Sequence, residues 1–228
     1  MRLGFVTCED LTRFFPSSDE PLLTHDDRAA ADFLRAQGHQ VEPVVWGQDP
    51  KQGVEALVVR SPWDYSKSPA SSADFLAWLK AQAKLRPVFN SPELMAWNMD
   101  KKYLADLGDA GVPVVPTLYL HNEAPEQDED LFKKAFEQWA APVVLKPAIS
   151  AGARDTFLLQ SREDLTRPLV GANGQFDGDW SGFRQGRSFL LQPFLAEVRD
   201  QGEWSCLFFD QVYSHSLLKR PGADSWLV

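Results

Sequence analysis

Between Arg2 and Asn90 short apolar runs alternate with helical, one-sided runs, and this alternation constrains the fold more than any other feature of the chain. Arg2 to Thr7 (RLGFVT) is a continuous apolar run of strand length. Asp26 to Gln37 (DDRAAADFLRAQ) places Ala30, Phe33 and Leu34 on one helical face, with Gly38 where a helix stop belongs. Val41 to Trp46 (VEPVVW) reads as a second strand. Pro43 has no N–H to give to a ladder, so that strand is expected at a sheet edge. Ala56 to Val59 is a third strand. Ser71 to Lys84 is a helix with Phe75, Leu76, Trp78 and Leu79 as its apolar face and a serine cap at its start. Pro87 to Asn90 is a fourth strand. Strand and helix in turn predict an α/β fold with a mostly parallel sheet covered by helices.

The pattern changes after residue 92. Lys101 to Ala110 is helical, and Gly111-Val-Pro-Val-Val-Pro116 ends the helix and forces extended chain. Then come a strand (Thr117 to Leu120), an acidic run (His121 to Asp130) read as a solvated loop, a helix (Leu131 to Ala140) and a strand (Pro142 to Lys146). Gly171 to Gly186 is a long Gly- and Asp-containing loop. Strands follow at Ser188 to Phe194, Trp204 to Phe209 and Val212 to Leu218, the last two joined by an Asp210-Gln211 hairpin turn. This half reads as α+β with antiparallel strands. The expected organisation is 1–92, a linker region 93–116, and 117–228.

The 228 residues are 44% hydrophobic and 12% aromatic, a globular composition. A net charge of -9 argues against nucleic acid and anionic membrane partners. The two cysteines, Cys8 and Cys206, are far apart and lack zinc spacing. The opening MRLGFVTCED has no signal-peptide pattern, and no run has the apolar length of a membrane span, so a cytoplasmic location is expected.

Several chemistries fail on spacing. The first strand runs into Thr7-Cys8-Glu9-Asp10, with no G-x-G-x-x-G turn for a dinucleotide, and Gly171-Ala-Asn-Gly174 does not supply one. Gly178 to Gly182 (GDWSG) is not a nucleophile elbow. The informative segment is Val143 to Thr156 (VVLKPAISAGARDT), an apolar strand ending in Lys146 and followed by Ser150, Ala151, Gly152 and Ala153. Small residues let backbone N–H groups approach phosphate oxygens, and a lysine at the mouth supplies a compact positive charge. An ordinary strand and turn with a solvated lysine fits the segment equally well.

This segment resembles the small-residue, phosphate-covering loop of ATP-grasp enzymes, and three others match that family in order. Asn90-Ser91 with Trp97-Asn98-Met99-Asp100-Lys101, and then Gly111 to Thr117, resembles the linker carrying the family's first ATP lysine. Gln192-Pro193-Phe194 with Glu197 resembles the hinge that holds adenine and ribose. Gly202-Glu203-Trp204-Ser205, Tyr213-Ser214-His215-Ser216 and Lys219-Arg220-Pro221 resemble the hairpin below the triphosphate. The match is most like the branch near glutathione synthetase and RimK-type ligases, which includes the cycloserine-biosynthesis cyclo-ligase. Arg60-Ser-Pro-Trp-Asp-Tyr65 is typical of that branch.

The resemblance implies ATP and magnesium as cofactors and assigns roles. Lys101 and Lys146 would neutralise phosphates, with Ser150 and Gly152 in the covering loop. Gln192, Phe194 and Leu195 would meet the adenine edge, and Glu197 the ribose. Glu203 and Lys219, on adjacent strands, would face one site, with a plain salt bridge as the alternative. Arg60, Asp64 and Tyr65 follow the third strand, where open α/β sheets bind ligands, and are the substrate candidates. Lys219 and Arg60 are the candidates for direct catalytic contact. Trp63 is expected to pack, Lys102 to be solvated and His215 to be structural. The family's magnesium ligands are carried by strands beyond the hairpin, whereas the chain here continues Gly222-Ala-Asp-Ser-Trp-Leu-Val228. No metal ligand is assigned, and a C-terminally incomplete domain is expected. The leading expectation is an ATP-dependent carboxylate–amine ligase acting through an acyl phosphate on a small amino-acid-like or peptide acid. The competing one is an inactive nucleotide-binding or assembly module that self-associates.

Overall fold

The computed structural model describes residues 1–9, 11, 22–139, 141–167, 169 and 179–222. The chain divides into two compact units, Met1–Tyr103 and Leu104–Val228. The division falls inside the segment expected to be a linker.

The first unit is built on four parallel strands, β1 (Arg2–Thr7), β2 (Gln40–Val45), β3 (Ala56–Ser61) and β4 (Val88–Phe89), in the order β2-β1-β3-β4. Pro43 does lie on an edge strand. Helix α1 (His25–Ala36) starts where Thr24 Oγ1 accepts from Asp27 N at 3.0 Å. Helix α2 (Pro69–Ala83) starts earlier than the sequence reading placed it, because Ser68 is the cap and Pro69 takes the first turn, where its missing N–H costs nothing. Leu3, Phe5, Val41 and Ala56 pack on the α1 side of the sheet with Leu23 and Ala31. Val6, Val44, Leu57 and Val59 pack on the other side with Phe75 and Leu79 of α2. Both α2 residues are fully buried, and each contributes about 1.5–3 kcal/mol by leaving water. The helix read at Lys101 to Ala110 is α4 (Tyr103–Asp109), and a further helix, α3 (Pro92–Met99), precedes it. Ser91 caps α3 through Leu94 N at 3.3 Å, a start signal that the sequence reading passed over.

In the second unit β5 (Leu118–Leu120), β6 (Val143–Pro147), β7 (Phe157–Leu159) and β8 (Phe189–Pro193) form an antiparallel sheet in the order β5-β8-β6-β7. Helix α5 (Asp128–Trp139) covers it, burying Phe132 and Ala135 against Leu120, Val143, Leu145 and Phe189. The acidic run is thus loop only in part. Asp128, Glu129 and Asp130 form the first turn of α5, where carboxylates meet the positive end of the helix dipole. Within the segment read as a long loop, α6 (Trp180–Arg184) is capped by Asp179, whose Oδ1 accepts from Gly182 N at 2.8 Å. Residues 170–178, including Gly171-Ala-Asn-Gly174, lie outside the described residues, as do 223–228. Helix α7 (Ala196–Gln201) leads into a separate hairpin of β9 (Glu203–Phe209) and β10 (Val212–Lys219). Its turn residues Asp210 and Gln211 both take positive φ, 47° and 65°, as a tight two-residue hairpin turn requires. Among the described residues no helix is long and apolar enough to cross a membrane.

Candidate functional site

Strand β6 lies between β8 and β7, and its alternation sends Val143, Leu145 and Pro147 into the core. Lys146 therefore stands on the opposite side of the strand, half-buried. Removal from water pushes its ammonium pKa below the ordinary lysine range, and the Glu203 carboxylate pulls it part of the way back.

The chain beyond Lys146 is tied at both roots. Ala148 N donates to Ser188 O at 2.8 Å, next to the start of β8. At the other root Arg187 Nη1 donates to Asp155 Oδ2 at 3.0 Å, and the same guanidinium lies 5.2 Å from the Phe183 ring centroid. Between them Gly152, Ala153 and Asp155 take φ of 59°, 54° and 56°. Left-handed residues next to right-handed ones turn successive N–H groups toward a common side, which suits an anion. Nothing lies within 4 Å of a Cβ built on Gly152, so glycine serves the backbone angle there and not a close approach.

Strand β8 carries Gln192, buried, whose Nε2 donates to Thr117 Oγ1 at 2.8 Å. Thr117 Oγ1 donates in turn to Val115 O at 2.8 Å. The Gln192 side chain thus ties β8 to the extended segment before β5. Phe194 N donates to Pro142 O at 3.3 Å, and Leu195 O accepts from Val198 N at 3.1 Å as α7 begins. Glu197 is exposed in the first turn of α7. Across the hairpin Lys219 pairs in register with Glu203, Nζ 3.4 Å from Oε1. His215 is exposed on β10, its Nδ1 2.9 Å from Ser214 Oγ.

In the first unit the substrate candidates gather at the C-terminal end of β3. Arg60 Nε donates to Asp27 Oδ1 at 2.7 Å. Asp64 accepts from Trp46 Nε1 and lies 3.5 Å from Lys67 Nζ. The ring of Tyr65 stacks on Phe75 at 5.5 Å between centroids, and burial raises its phenol pKa. Tyr65 thus has its ring in the core. Burial likewise pushes the Cys8 thiol up, with the Asp64 charge adding to the effect. Lys101 is half-buried at the turn between α3 and α4, and Lys102 is exposed, as expected. Among the described residues no three His, Cys, Asp or Glu side chains are grouped as a metal would need.

Residues 3–90 match the family model of the N-terminal domain of D-cycloserine synthetase DcsG. Over 168 residues the chain is 32% identical to a cycloserine biosynthesis protein DcsG of Streptomyces lavendulae, covering 72% of this chain and 52% of that protein. The chain therefore spans about half the length of this curated relative. A crystal structure of D-cycloserine synthetase DcsG superposes with a TM-score of 0.72 at 27% identity, over 96% of this chain and 68% of that one. The chain is a homologue of D-cycloserine synthetase with the ATP-grasp fold. A RimK domain ATP-grasp protein of Sphaerobacter thermophilus shares that fold at a TM-score of 0.54 and 19% identity, over 86% of this chain and 64% of that one.

Within the ATP-grasp sheet and hairpin of the second unit, Lys146, Glu203 and Lys219 form one charge cluster. Ser150 and Gly152 lie in the loop that leaves Lys146, and Leu195 and Glu197 are exposed beyond β8. Three polar contacts were missed from sequence: Asp27 with Arg60, Asp155 with Arg187, and Asp128 with Arg184. Thr24-His-Asp-Asp27 carried a helix-start signal, but nothing in the spacing linked Asp27 to a residue 33 positions away.

Proposed function

We propose that the chain contributes the nucleotide-binding and acid-binding parts of an ATP-dependent carboxylate–amine ligase. The observation that carries this reading is the cluster of Lys146, Glu203 and Lys219 beside a small-residue loop with three left-handed residues. A half-buried lysine gains most from an anion that restores its favourable surroundings, and a triphosphate is such an anion.

In this reading Lys146 and Lys219 offset phosphate charge, and backbone N–H groups of 149–155 cover the phosphates. Gln192 fixes β8 so that the backbone at Phe194 and Leu195 meets the adenine edge, and Glu197 accepts from ribose hydroxyls. Lys101 is a second phosphate contact by its Asp100-Lys101 motif. Arg60 holds the acid substrate. A carboxylate oxygen of that acid takes the terminal phosphoryl group of ATP, giving an acyl phosphate and ADP. A nitrogen nucleophile then attacks the acyl carbon, the C–O bond to phosphate breaks, and the nitrogen gives up a proton. The reaction replaces oxide, a poor leaving group, with phosphate. Relatives named for D-cycloserine synthesis support a small amino-acid-like acid.

ATP fits the residues present. A divalent ion does not fit the described residues as they stand: Glu203 is the one acid beside Lys146 and already pairs with Lys219. No step is assigned to a metal.

Calorimetric titration of ATP into the full chain, and into Lys146→Ala, tests the reading. Loss of at least about tenfold in affinity is expected when a charge-assisted phosphate contact goes, with the fold retained. No ATP binding by the parent, or equal affinity in the variant, would remove the phosphate assignment. ADP release with pooled amino acids then separates a ligase from a module that only binds nucleotide.

A further inference from the structure

The strand order β2-β1-β3-β4 reverses direction between β1 and β3, and the crevice past their C-terminal ends is where an open parallel sheet binds ligands. The ladder is broken at this place. Val6 pairs with Val59 and Thr7 with Ser61, so Arg60 is the extra residue of a bulge. A bulge re-aims the side chain it carries.

Asp27, in the first turn of α1, reaches this bulge. Its side chain is 2% exposed, and both oxygens are engaged, Oδ1 by Arg60 Nε at 2.7 Å and Oδ2 by the Ser61 hydroxyl. The Arg60 side chain is 38% exposed. With Nε occupied, the two terminal nitrogens have no hydrogen-bond partner among the described residues and can receive another anion, end-on and in the plane that a carboxylate prefers. Thr7, paired with Ser61, is fully buried, and its Oγ1 has no hydrogen-bond partner among the described residues. An unsatisfied buried hydroxyl at a sheet terminus is a second polar group a ligand can satisfy.

We propose that Asp27 is a positioning residue that holds Arg60 by Nε, so that its terminal nitrogens receive the carboxylate of a small organic acid at the β1–β3 switch point. The ligase reading enters only in naming the ligand as a carboxylic acid. Without Asp27 the guanidinium keeps its charge and loses its aim. The recognition therefore discriminates a carboxylate from its neutral amide, which offers an end-on fork no second anionic oxygen.

Ligand-observed saturation-transfer NMR on the full chain tests this. The probes are the common L-amino acids, D-alanine, D-serine and glycylglycine, each against its C-terminal amide. At least one acid should bind with its amide silent. Asp27→Asn should weaken that acid by about tenfold, roughly the loss of one charge-assisted contact, and Arg60→Ala should abolish binding. Guanidinium ion added to Arg60→Ala should restore the acid signal, because Asp27 can dock the free cation, and should fail to do so in the Arg60→Ala/Asp27→Asn double variant. A purely structural Asp27 would lower the melting temperature without changing acid affinity or guanidinium rescue in the folded protein. If Asp27→Asn does not fold, Ser61→Ala, which frees one Asp27 oxygen, should weaken the acid by a smaller factor. Unchanged affinity in folded Asp27→Asn, rescue that ignores Asp27, or no acid bound by the parent would overturn the proposal. ATP affinity in the same samples reports separately: loss of nucleotide binding with acid binding retained sinks the ligase reading and leaves the Arg60 site standing.

Discussion

Arg184 and Asp128 meet in a two-point ion pair between α6 and α5, Nε to Oδ2 at 2.7 Å and Nη2 to Oδ1 at 3.0 Å, with both side chains almost fully buried. Arg184 Nη2 also donates to His121 O at 2.7 Å, and its Nη1 to Arg187 O. The pair therefore joins the start of α5 to the segment that fixes Asp155 at the root of the small-residue loop.

Removing one partner strands the other charge in a dry site. Asp128→Ala should destabilise the chain by about 3–5 kcal/mol, read from urea unfolding. Replacing both partners by apolar residues of similar size should cost less than the single change, because no charge is then left buried. A loss below about 1 kcal/mol for Asp128→Ala, the level of an exposed pair, would show that water reaches the site.

Periodicity carried the parallel sheet of the first unit and its flanking helices α1 and α2, because each of these has a local signature. Continuous apolar runs became parallel strands, Pro43 marked the edge, and Phe75 and Leu79 marked the buried face of α2. The second unit was less legible. Asp128 sat in an acidic run that looks solvated, and Arg184 beside glycines that look like loop, yet the two are buried together. Pairing between distant charges leaves no periodic trace. The same holds for the site: the resemblance assigned Lys146, Glu203 and Lys219 to one end of the nucleotide, whereas the bulge at Arg60 and its contact with Asp27 depend on strand register, which composition does not encode.

Lys146 makes the chain sensitive to alkali in a defined direction. Burial lowers its pKa, so between the folded value and the ordinary lysine value the unfolded chain holds more protons. Stability then rises with pH across that window, because deprotonation relieves the cost of a buried charge that is present in full below it. Lys146→Met should be the more stable form at neutral pH, and the gap should close toward the lysine range in pH-dependent unfolding. ATP affinity should run the other way, falling as Lys146 loses its proton, and Lys146→Arg should push that fall to higher pH. A parent affinity flat up to the ordinary lysine range would contradict this.

Gly202 sets the hairpin. Its φ is +95°, and a Cβ there would lie 2.4 Å from Lys219 O and 2.9 Å from Leu218 Cδ1. The first of these atoms is backbone in a paired strand and cannot swing aside. Gly202→Ala should cost at least about 1–3 kcal/mol through left-handed strain alone, and it should separate Glu203 from Lys219. Faster hydrogen exchange at the β9 and β10 amides with weaker ATP binding is the expected pair of results. Native exchange in the variant would mean that the hairpin relaxes without cost.

The loop after Lys146 should behave as a strap held at its roots that tightens over a bound anion. Ala148 is fixed to Ser188 and Asp155 to Arg187, while Gly152 between them has nothing within 4 Å of where its Cβ would be. Ala153 and Asp155 hold positive φ without being glycine, a conformation costing about 1–2 kcal/mol per residue. Contacts must repay that cost, and Arg187 supplies one for Asp155. Amides from Ile149 to Ala153 should exchange faster without nucleotide than with it and slow by about tenfold or more when ATP docks, as lid segments do on closing over a ligand. Lys146→Ala should remove the slowing, since the anion that recruits the backbone N–H groups is no longer held. Arg187→Ala should instead speed exchange at Asp155 and Thr156 with or without ATP, because it frees the root and leaves the phosphate contact in place. Equal protection with and without ATP in the parent would mean that the loop is rigid, and its left-handed residues would then belong to the fold alone.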